Sequence, residues 1–168
     1  MTATIRPAGL ADVDALVALN HHVQSLHAVA YPSLFRANAP GEAVTSAFHK
    51  MVVDPAALWL LAETSQPCGY LYAQFHERPE TWFRPAHRLC NISHLAVHPD
   101  FRRQGVARRL IATLVDGAHR RGFTRIEVDT WTFNREARAT FQNLGFRVFN
   151  ERMELADPRR LVQPTAES

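Results

Sequence analysis

The feature that most constrains this chain is an apolar, strand-like run that leads through a proline turn into a basic helix start. Residues 92–97 (Ile-Ser-His-Leu-Ala-Val) are mostly apolar, and His98 and Pro99 follow them directly. After this turn, apolar residues recur at helical spacing over 105–121, and Gly122 stands just past them in the position of a helix C-cap. The order predicts a strand, a tight turn and an amphipathic helix, which together form a unit of an α/β sheet.

The turn between this strand and this helix has the composition of an anion site. The first N–H groups of a helix have no partner within it, and the peptide dipoles place partial positive charge there. Gly105 and Ala107 keep side chains away from the main chain, so a phosphate group can approach it closely. Four arginines, whose guanidinium groups suit phosphate, surround them: Arg102, Arg103, Arg108 and Arg109. The stretch predicts a site for a phosphorylated ligand; a basic helix start on a solvated surface is the alternative.

Length and composition indicate one globular domain. The chain has 168 residues, of which 46% are hydrophobic and 21% charged, ordinary values for a domain that can bury a core. No apolar run approaches the roughly 18–20 residues of a membrane span, and the first residues lack the pattern of a secretory signal. We therefore predict no membrane association.

The cysteines and the net charge indicate the cellular compartment and the kind of ligand. Cys68 and Cys90 fall in predicted strands without other metal-ligand types around them, so we interpret both as reduced thiols. This interpretation predicts a cytoplasmic protein without a metal site. The net charge of +3 at pH 7 suits an anionic cofactor. It is too small and too scattered to favour nucleic acid, which we predict is not a partner.

Residue patterns along the chain give the element order β-αα-βββ-α-β-α-β. The predicted strands cover 2–6, 58–63, 68–76, 88–97, 125–131 and 146–155, and the predicted helices 12–24, 40–53, 105–121 and 135–144. The region 77–87 is predicted as an irregular tongue because it holds two prolines. We expect one α/β domain over 1–155, with a mixed central sheet and helices on both faces, and a loosely held tail over 156–168.

Two motifs, in this order, resemble the signatures of the GNAT N-acetyltransferase superfamily. The first, similar to that family's pyrophosphate loop Gln/Arg-x-x-Gly-x-Gly/Ala, is Arg102-x-x-Gly105-x-Ala107. The second, similar to Asn-x-x-Ala-x-x-x-Tyr-x-x-x-Gly-Phe, is Asn134-x-x-Ala137-x-x-x-Phe141-x-x-x-Gly145-Phe146. The resemblance covers about residues 4–155. It implies the GNAT acyl-CoA N-acyltransferase fold, acetyl-CoA as acyl donor and an amine as acceptor.

The resemblance also implies where acetyl-CoA binds. Backbone groups of Leu95, Ala96 and Val97 are expected to pair with the pantetheine arm like an added strand, since the fourth and fifth strands of this fold separate. The pyrophosphate is expected against the loop residues Arg102, Arg103, Gln104, Gly105, Val106, Ala107 and Arg108. Asn134 and Phe141 complete the expected cofactor-binding set. An asparagine at 134 is an equally good N-cap for a helix that begins at Arg135.

Two positions depart from the family's catalytic pattern. Phe141 stands where the family has the tyrosine that protonates the leaving thiolate, and phenylalanine has no proton to give. Asn91 stands where the family draws a glutamate base, and asparagine can orient a water but cannot take a proton. Neither change abolishes acetyl transfer, because one acid or base step contributes about 10²–10⁴-fold. The backbone N–H of the strand can still polarise the thioester carbonyl.

A substitute base must come from the acceptor side of the site. The predicted catalytic residues are Asn91, Glu77 and His76, and the next candidates are His22 and His27. His94 faces away from Asn91 only if its strand is regular, which a bulge would change. Asp129 equally suits an ordinary polar role. Aromatic residues that could wall an acceptor pocket are Tyr31, Phe35, Trp82 and Trp131.

We expect an acetyl-CoA-dependent N-acetyltransferase in which the acceptor amine attacks the thioester directly, within a ternary complex. Glu77 and Glu80 are the acidic residues of the tongue, so a small or amino-acid-like amine is favoured over a polycation. The alternatives are a protein N-terminal or lysine acetyltransferase, and a weakly catalytic acyl-CoA-binding module. The resemblance also makes a homodimer possible, because dimers are common in this family.

Overall fold

The computed structural model describes residues 2–155 and residue 157. The chain divides into two compact units, Met1–Phe133 and Asn134–Ser168. Apart from Asp157, the tail expected over 156–168 lies outside the described residues.

The first unit is built on one five-stranded mixed sheet. Its strands are β1 (Thr4–Pro7), β2 (Ala57–Glu63), β3 (Pro67–Arg78), β4 (His87–Val97) and β5 (Arg125–Val128). They lie side by side in chain order. The first four pair antiparallel, and β5 pairs parallel with β4. The change of direction at β5 follows from its crossover helix, since parallel neighbours need a long connection.

Helices cover both faces of this sheet, as the sequence predicted. The helices of the first unit are α1 (Val13–Ala30), α2 (Gly41–Val52) and α3 (Val106–Arg120), and short 3-10 turns lie at Leu10–Asp12 and Pro99–Phe101. The second unit contains α4 (Arg135–Asn143). On one face, residues of α1, α2 and the central strands form a buried cluster of Val13, Leu16, Leu19, Phe48, Trp59, Leu61, Tyr70, Tyr72 and Ala96.

Helix α3 packs on the other face, against β2, β3 and β4. Its inward side chains, Leu110 and Leu114, are fully buried, and each buried leucine contributes about 2 kcal/mol. The close approach of α3 depends on Gly69 in β3: a Cβ there would lie 2.8 Å from the Ala96 carbonyl oxygen and 3.2 Å from the Val106 side chain. A glycine at this position therefore lets Val106, in the first turn of α3, rest directly on β3.

Several boundaries differ from the predicted ones. The strands β3 and β4 stay paired up to Arg78 and His87, which shortens the irregular tongue to residues 79–86. Helix α1 continues to Ala30 because no glycine or proline interrupts it, and it ends at Tyr31, the residue before Pro32. A residue before proline is disfavoured in the helical conformation.

The strand predicted at 146–155 was wrong, and the fifth strand was predicted too long. No strand covers 146–155 in the described chain, although apolar residues alternate there. A strand is stable only when a neighbour accepts its hydrogen bonds, and the residue pattern cannot show whether one is available. Strand β5 ends at Val128 rather than at residue 131, because its pairing with β4 ends there.

Candidate active site

The turn before α3 leads into a helix N-terminus whose exposed polar groups are mainly main-chain N–H groups. Gly105 is the N-cap residue with φ of 79°, a left-handed conformation that favours glycine, and no atom lies within 4 Å of the position of a Cβ there. Arg103 also has positive φ, 57°. The first intrahelical bond runs from the N–H of Arg109 to the Gly105 carbonyl oxygen. The N–H groups of residues 106–108 therefore point out of the helix, in the arrangement that binds anions.

Side chains fix this turn to the strand before it. The Gln104 amide donates to the Asp100 carbonyl oxygen at 2.8 Å, and the Arg102 Nε donates to the Val97 carbonyl oxygen at 3.4 Å. Arg103 and Arg108 are exposed, whereas Val106 is buried against the sheet. The turn thus offers open main-chain N–H groups flanked by positive charge on a fixed support.

Strands β4 and β5 separate next to this turn. Their pairing covers Leu89 to Ile92 of β4 and ends at Val128 of β5. On its other side β4 stays paired with β3 as far as Val97. Among the described residues, the β5 side of 93–97 therefore has no strand partner, and the predicted pantetheine residues Leu95, Ala96 and Val97 lie on this open edge. We refer to this opening between β4 and β5 as the fork.

A β-bulge in β4 decides which side chains share a face. Tyr72 of β3 is paired with His94, and the next residue of β3, Ala73, is paired with Ile92, so Ser93 is an extra residue. Without the bulge, His94 and Asn91 would point to opposite faces of the sheet. With it, both lie on the α1 side, and the Ser93 hydroxyl donates to the Gln74 side chain at 3.4 Å.

His94 belongs to a short chain of hydrogen bonds in the core of this face. The Tyr70 hydroxyl donates to Asn20 Oδ1 at 3.0 Å and lies 3.3 Å from His94 Nδ1. Because that hydroxyl proton is used by Asn20, its oxygen accepts from the Nδ1–H of His94, which leaves Nε2 as an acceptor. Burial, with a smaller effect from the positive charge of His27, lowers the pKa of His94 to about 4. His94 is therefore neutral at physiological pH.

Glu77 and His76, the two candidate bases at the end of β3, lie on opposite faces of the sheet. Glu77 lies on the α3 side and its carboxylate pairs with Arg88 at 2.9 Å. Arg88 in turn stacks over the Phe123 ring, 4.2 Å from its centroid. His76, one residue earlier, lies on the same face as Asn91. Of the three predicted catalytic residues, the sheet thus brings Asn91 and His76 to one side, and Glu77 to the other.

The remaining histidine candidates lie on α1. The His22 ring contacts the His98 ring edge-on at 5.0 Å, which places it beside the end of β4. Burial and the nearby His98 lower the pKa of His22. His27 lies one and a half turns further along α1, and its Nδ1 lies 2.7 Å from the Val23 carbonyl oxygen.

Three of the four predicted aromatic residues come together with His27, which was expected as a base, and with Phe133, which sequence reasoning missed. Tyr31, Phe35 and Trp131 join His27 and Phe133 in one group of rings whose centroids lie 5.0–6.4 Å apart. We call this group the aromatic cluster. Trp82 is not part of it: it is 95% exposed and contacts Phe83 on the tongue. Phe133 could have been suspected from its spacing of two from Trp131, but nothing local in the sequence connects these residues with α1.

The second unit contains the second motif. Asn134 Oδ1 accepts a hydrogen bond from the Ala137 N–H at 3.1 Å, so the residue does cap α4. Phe141 is buried and its ring contacts Phe146 edge-on at 5.4 Å. Gly145 has φ of 93°, which suits a glycine after a helix end.

The described part of the chain offers no residues for a metal site, a membrane-spanning helix or a nucleophilic cysteine. It holds no group of three or more potential metal ligands, and none of its helices has the length and apolarity to cross a bilayer. Both cysteines are buried free thiols, and burial raises the pKa of Cys90 to about 11. A thiol with a raised pKa is a poor nucleophile at neutral pH.

Comparison with known proteins agrees with this geometry. The family model of the acetyltransferase (GNAT) family matches residues 21–146, a range that includes the fork, the turn before α3 and the second motif. The chain belongs to the GNAT family. A 56-residue stretch of this GNAT chain is 37% identical to human (Homo sapiens) N-acetyltransferase 8. That stretch covers 33% of this chain but only 25% of the human protein.

Solved structures share the fold. The GNAT chain is similar to a tetramutant of the BH1408 protein from Bacillus halodurans, with a TM-score of 0.86 and 23% identity over 90% of this chain and 98% of that one. It is also similar to the aminoglycoside N-acetyltransferase AAC(6')-Iy in complex with CoA, with a TM-score of 0.73 and 16% identity over 93% and 95% of the two chains. At these identities the likeness concerns the fold alone.

Proposed function

We propose that this GNAT protein transfers the acetyl group of acetyl-CoA to the primary amine of a small or amino-acid-like acceptor. The observation that carries the proposal is the fork, whose open β4 edge leads directly into the N-terminus of α3. A pantetheine arm that pairs with 93–97 would extend towards the N–H groups of 106–108, where a pyrophosphate fits. The positive φ and open surroundings of Gly105 allow that close approach.

The residues of the cofactor site would divide the work between main chain and side chains. Leu95, Ala96 and Val97 offer the strand edge, and Val106, Ala107 and Arg108 offer helix N–H groups. Arg102 and Gln104 hold the turn through their bonds to Val97 and Asp100, and Arg102 and Arg103 add positive charge around it. A neighbour of the same fold was solved in complex with CoA, which supports a donor of the CoA type for this chain.

The reaction we propose is direct attack in a ternary complex. The neutral amine nitrogen forms a bond to the thioester carbonyl carbon, the C–S bond breaks, and the amine proton leaves to a base or to solvent. A strand N–H at the fork would stabilise the oxyanion. Asn91 would orient a water that carries the proton, and His76 is the stronger of the two predicted bases because it lies on the same face as Asn91. Glu77 is held by Arg88 on the opposite face and is the weaker candidate.

The first test is isothermal titration of the protein with acetyl-CoA, followed by a thiol-release assay with a panel of amines and N-terminal peptides. We expect binding, and CoA release with at least one amine. Gly105→Glu places bulk and negative charge at the pyrophosphate site and should abolish binding. Gly105→Ala is the matched control, because it carries the same backbone strain without the charge and should retain most binding. Wild-type protein that does not bind acetyl-CoA would contradict the proposal.

A second function has one specific observation in its favour. Phe141, buried against Phe146, offers no proton to a leaving thiolate, which suits a module that binds acyl-CoA and turns over slowly. Tight binding without thiol release for any acceptor would favour this module. Phe141→Tyr would then be expected to raise turnover.

The cellular setting is a further proposal. Two buried, unpaired thiols suit a reducing compartment, which supports a cytoplasmic location. A homodimer stays a prediction, to be measured by sedimentation.

A further inference from the structure

The aromatic cluster lies next to the end of β5, which forms one side of the fork. His27, Tyr31 and Phe35 come from the last turn of α1 and the segment after it, and Trp131 and Phe133 come from the segment after β5. Trp131 follows Val128, the last paired residue of β5, by only three positions, so the two lie within about 10 Å of each other. On the β4 side, His27 is close enough to His94 for its charge to influence that imidazole.

The surface of the cluster combines rings with one nitrogen acceptor. Trp131 is the most open of the rings, with 38% of its surface exposed, whereas His27, Tyr31, Phe35 and Phe133 are half-buried. The Val23 carbonyl oxygen can only accept a hydrogen bond, so His27 Nδ1 must donate to it across their 2.7 Å separation. In the neutral imidazole this leaves Nε2 as an acceptor, and no described residue donates to it.

Acidic residues are few on this side of the site. Residues 15–41, which include most of α1 and the segment after it, contain no aspartate or glutamate, but they do contain Arg36 and three histidines. Of the segment after β5, Asp129 is the one acidic residue before Phe133. A polycationic amine would find a single carboxylate here, whereas an aromatic ring would find a stacking partner.

We propose that the aromatic cluster selects the acceptor, and that the acceptor is a monocationic primary amine that carries an aromatic ring. The ring stacks on Trp131, and the amine nitrogen donates to His27 Nε2, which positions it towards the fork. This inference rests on the proposed acetyl transfer and names its substrate class. His27 and Trp131 are positioning residues in it.

The test compares four amines of graded chemistry: phenethylamine, 2-cyclohexylethylamine, ethylamine and spermidine. We expect kcat/KM to be highest for phenethylamine, about tenfold above ethylamine and several-fold above the cyclohexyl analogue, because ring stacking adds to the gain from apolar burial. Spermidine should have the lowest kcat/KM of the four amines. Equal rates across the panel, or a preference for spermidine, would overturn the inference.

Matched variants separate the ring from the nitrogen. Trp131→Leu should lower kcat/KM for phenethylamine about tenfold, mainly through KM, and lower it much less for ethylamine. Trp82→Leu changes an equally large ring on the exposed tongue and should change neither amine. His27→Phe keeps a ring but removes the acceptor nitrogen, so it should lower kcat/KM for both amines by similar factors. Unchanged phenethylamine kinetics in Trp131→Leu would contradict the proposal.

A binding measurement keeps this inference distinct from the proposed function. If no amine releases CoA, the transferase proposal fails, but the cluster can still be tested by titrating phenethylamine into the protein saturated with CoA. Binding that weakens in Trp131→Leu and not in Trp82→Leu would support an aromatic-amine site. Absence of binding, or equal binding of ethylamine, would refute it. CoA release with ethylamine and no preference for rings would retain the transferase and reject only the cluster.

Discussion

The proposed donor side and the proposed acceptor side of the candidate site are built from different parts of the chain. The donor side is one continuous stretch, from the open edge of β4 to the first turn of α3, and main-chain groups form it. The acceptor side combines side chains from α1, from the segment after α1 and from the segment after β5. A site made of backbone needs only a glycine, a small residue and a helix start, which a short motif can encode. A site made of distant side chains depends on the whole fold.

The two sides also differ in charge. Exposed arginines surround the helix N-terminus on the donor side. On the acceptor side, aromatic rings and histidines dominate, and residues 15–41 contain no aspartate or glutamate. This contrast suits an anionic donor and an apolar acceptor, and the following experiments test whether each side depends on the feature assigned to it.

The largest effect is expected at Gly69, which supports the donor side from below. A Cβ at this position would lie 2.8 Å from the Ala96 carbonyl oxygen, a backbone atom that cannot move aside. Gly69→Ala should therefore lower the free energy of unfolding by about 3 kcal/mol, measured by urea denaturation. It should also weaken acetyl-CoA binding, because Val106 and with it the first turn of α3 must shift away from β3.

The matched control for Gly69 is Gly41→Ala at the start of α2, where nothing lies within 4 Å of the new Cβ. This variant should unfold at the same urea concentration as the wild type or slightly above it. If Gly69→Ala were as stable as Gly41→Ala, the close packing of α3 on β3 and β4 would be wrong.

The next effect is a pH dependence that belongs to the acceptor side. The pKa of His94 is about 4 in the folded protein, compared with about 6.5 in the unfolded chain. Above pH 6.5 His94 is neutral in both the folded and the unfolded protein, and its contribution to the free energy of unfolding is fully present. Between pH 6.5 and 4 the unfolded chain takes up a proton that the folded protein does not. The free energy of unfolding should therefore fall by about 3 kcal/mol over this range and level off below pH 4.

Urea denaturation between pH 4 and pH 7 measures this loss, and proton NMR of His94 measures its pKa directly. His94→Phe fits the aromatic surroundings and should remove this component of the pH dependence, whereas His49→Gln on α2 replaces an exposed histidine and should not. Titration of His94 near pH 6.5 would be incompatible with its burial.

The sequence predicts the donor side better than the acceptor side. The turn at Arg102–Ala107 and helix α3 followed from a glycine, a proline and helical spacing that lie close together. The bulge at Ser93 could not be predicted, because it depends on the register of β4 against β3, and it moves His94 to the face of Asn91. The contact of Trp131 with Tyr31 joins residues 100 positions apart, and local patterns do not encode it. The strand expected at 146–155 failed because alternation alone cannot supply a pairing partner.

A smaller effect is expected from the hydrogen-bond chain beneath the acceptor side. Tyr70→Phe removes the hydroxyl that joins Asn20 and His94 and leaves two polar groups without their partner. We expect a loss of about 1–2 kcal/mol in the free energy of unfolding, with acetyl-CoA affinity unchanged. Tyr72→Phe on the same strand is the control, since no described residue bonds its hydroxyl, and it should change stability by less than about 0.5 kcal/mol. Equal losses of stability in the two variants would argue against the hydrogen-bond chain from Asn20 through Tyr70 to His94.

The smallest effect concerns Asn134, for which two roles were expected. Its cap uses the amide oxygen, which accepts from the Ala137 N–H, and the cofactor contact that we propose would use the Nδ2 group as its donor. Asn134→Ala should cost about 1 kcal/mol through loss of the cap. Asn134→Ser retains a capping oxygen but no amide donor. It should keep wild-type stability and weaken acetyl-CoA binding by about fivefold, the contribution of one hydrogen bond. Titration calorimetry beside urea denaturation separates the outcomes: full affinity in Asn134→Ser would restrict the residue to capping, and the donor side would then consist of the fork and the turn before α3.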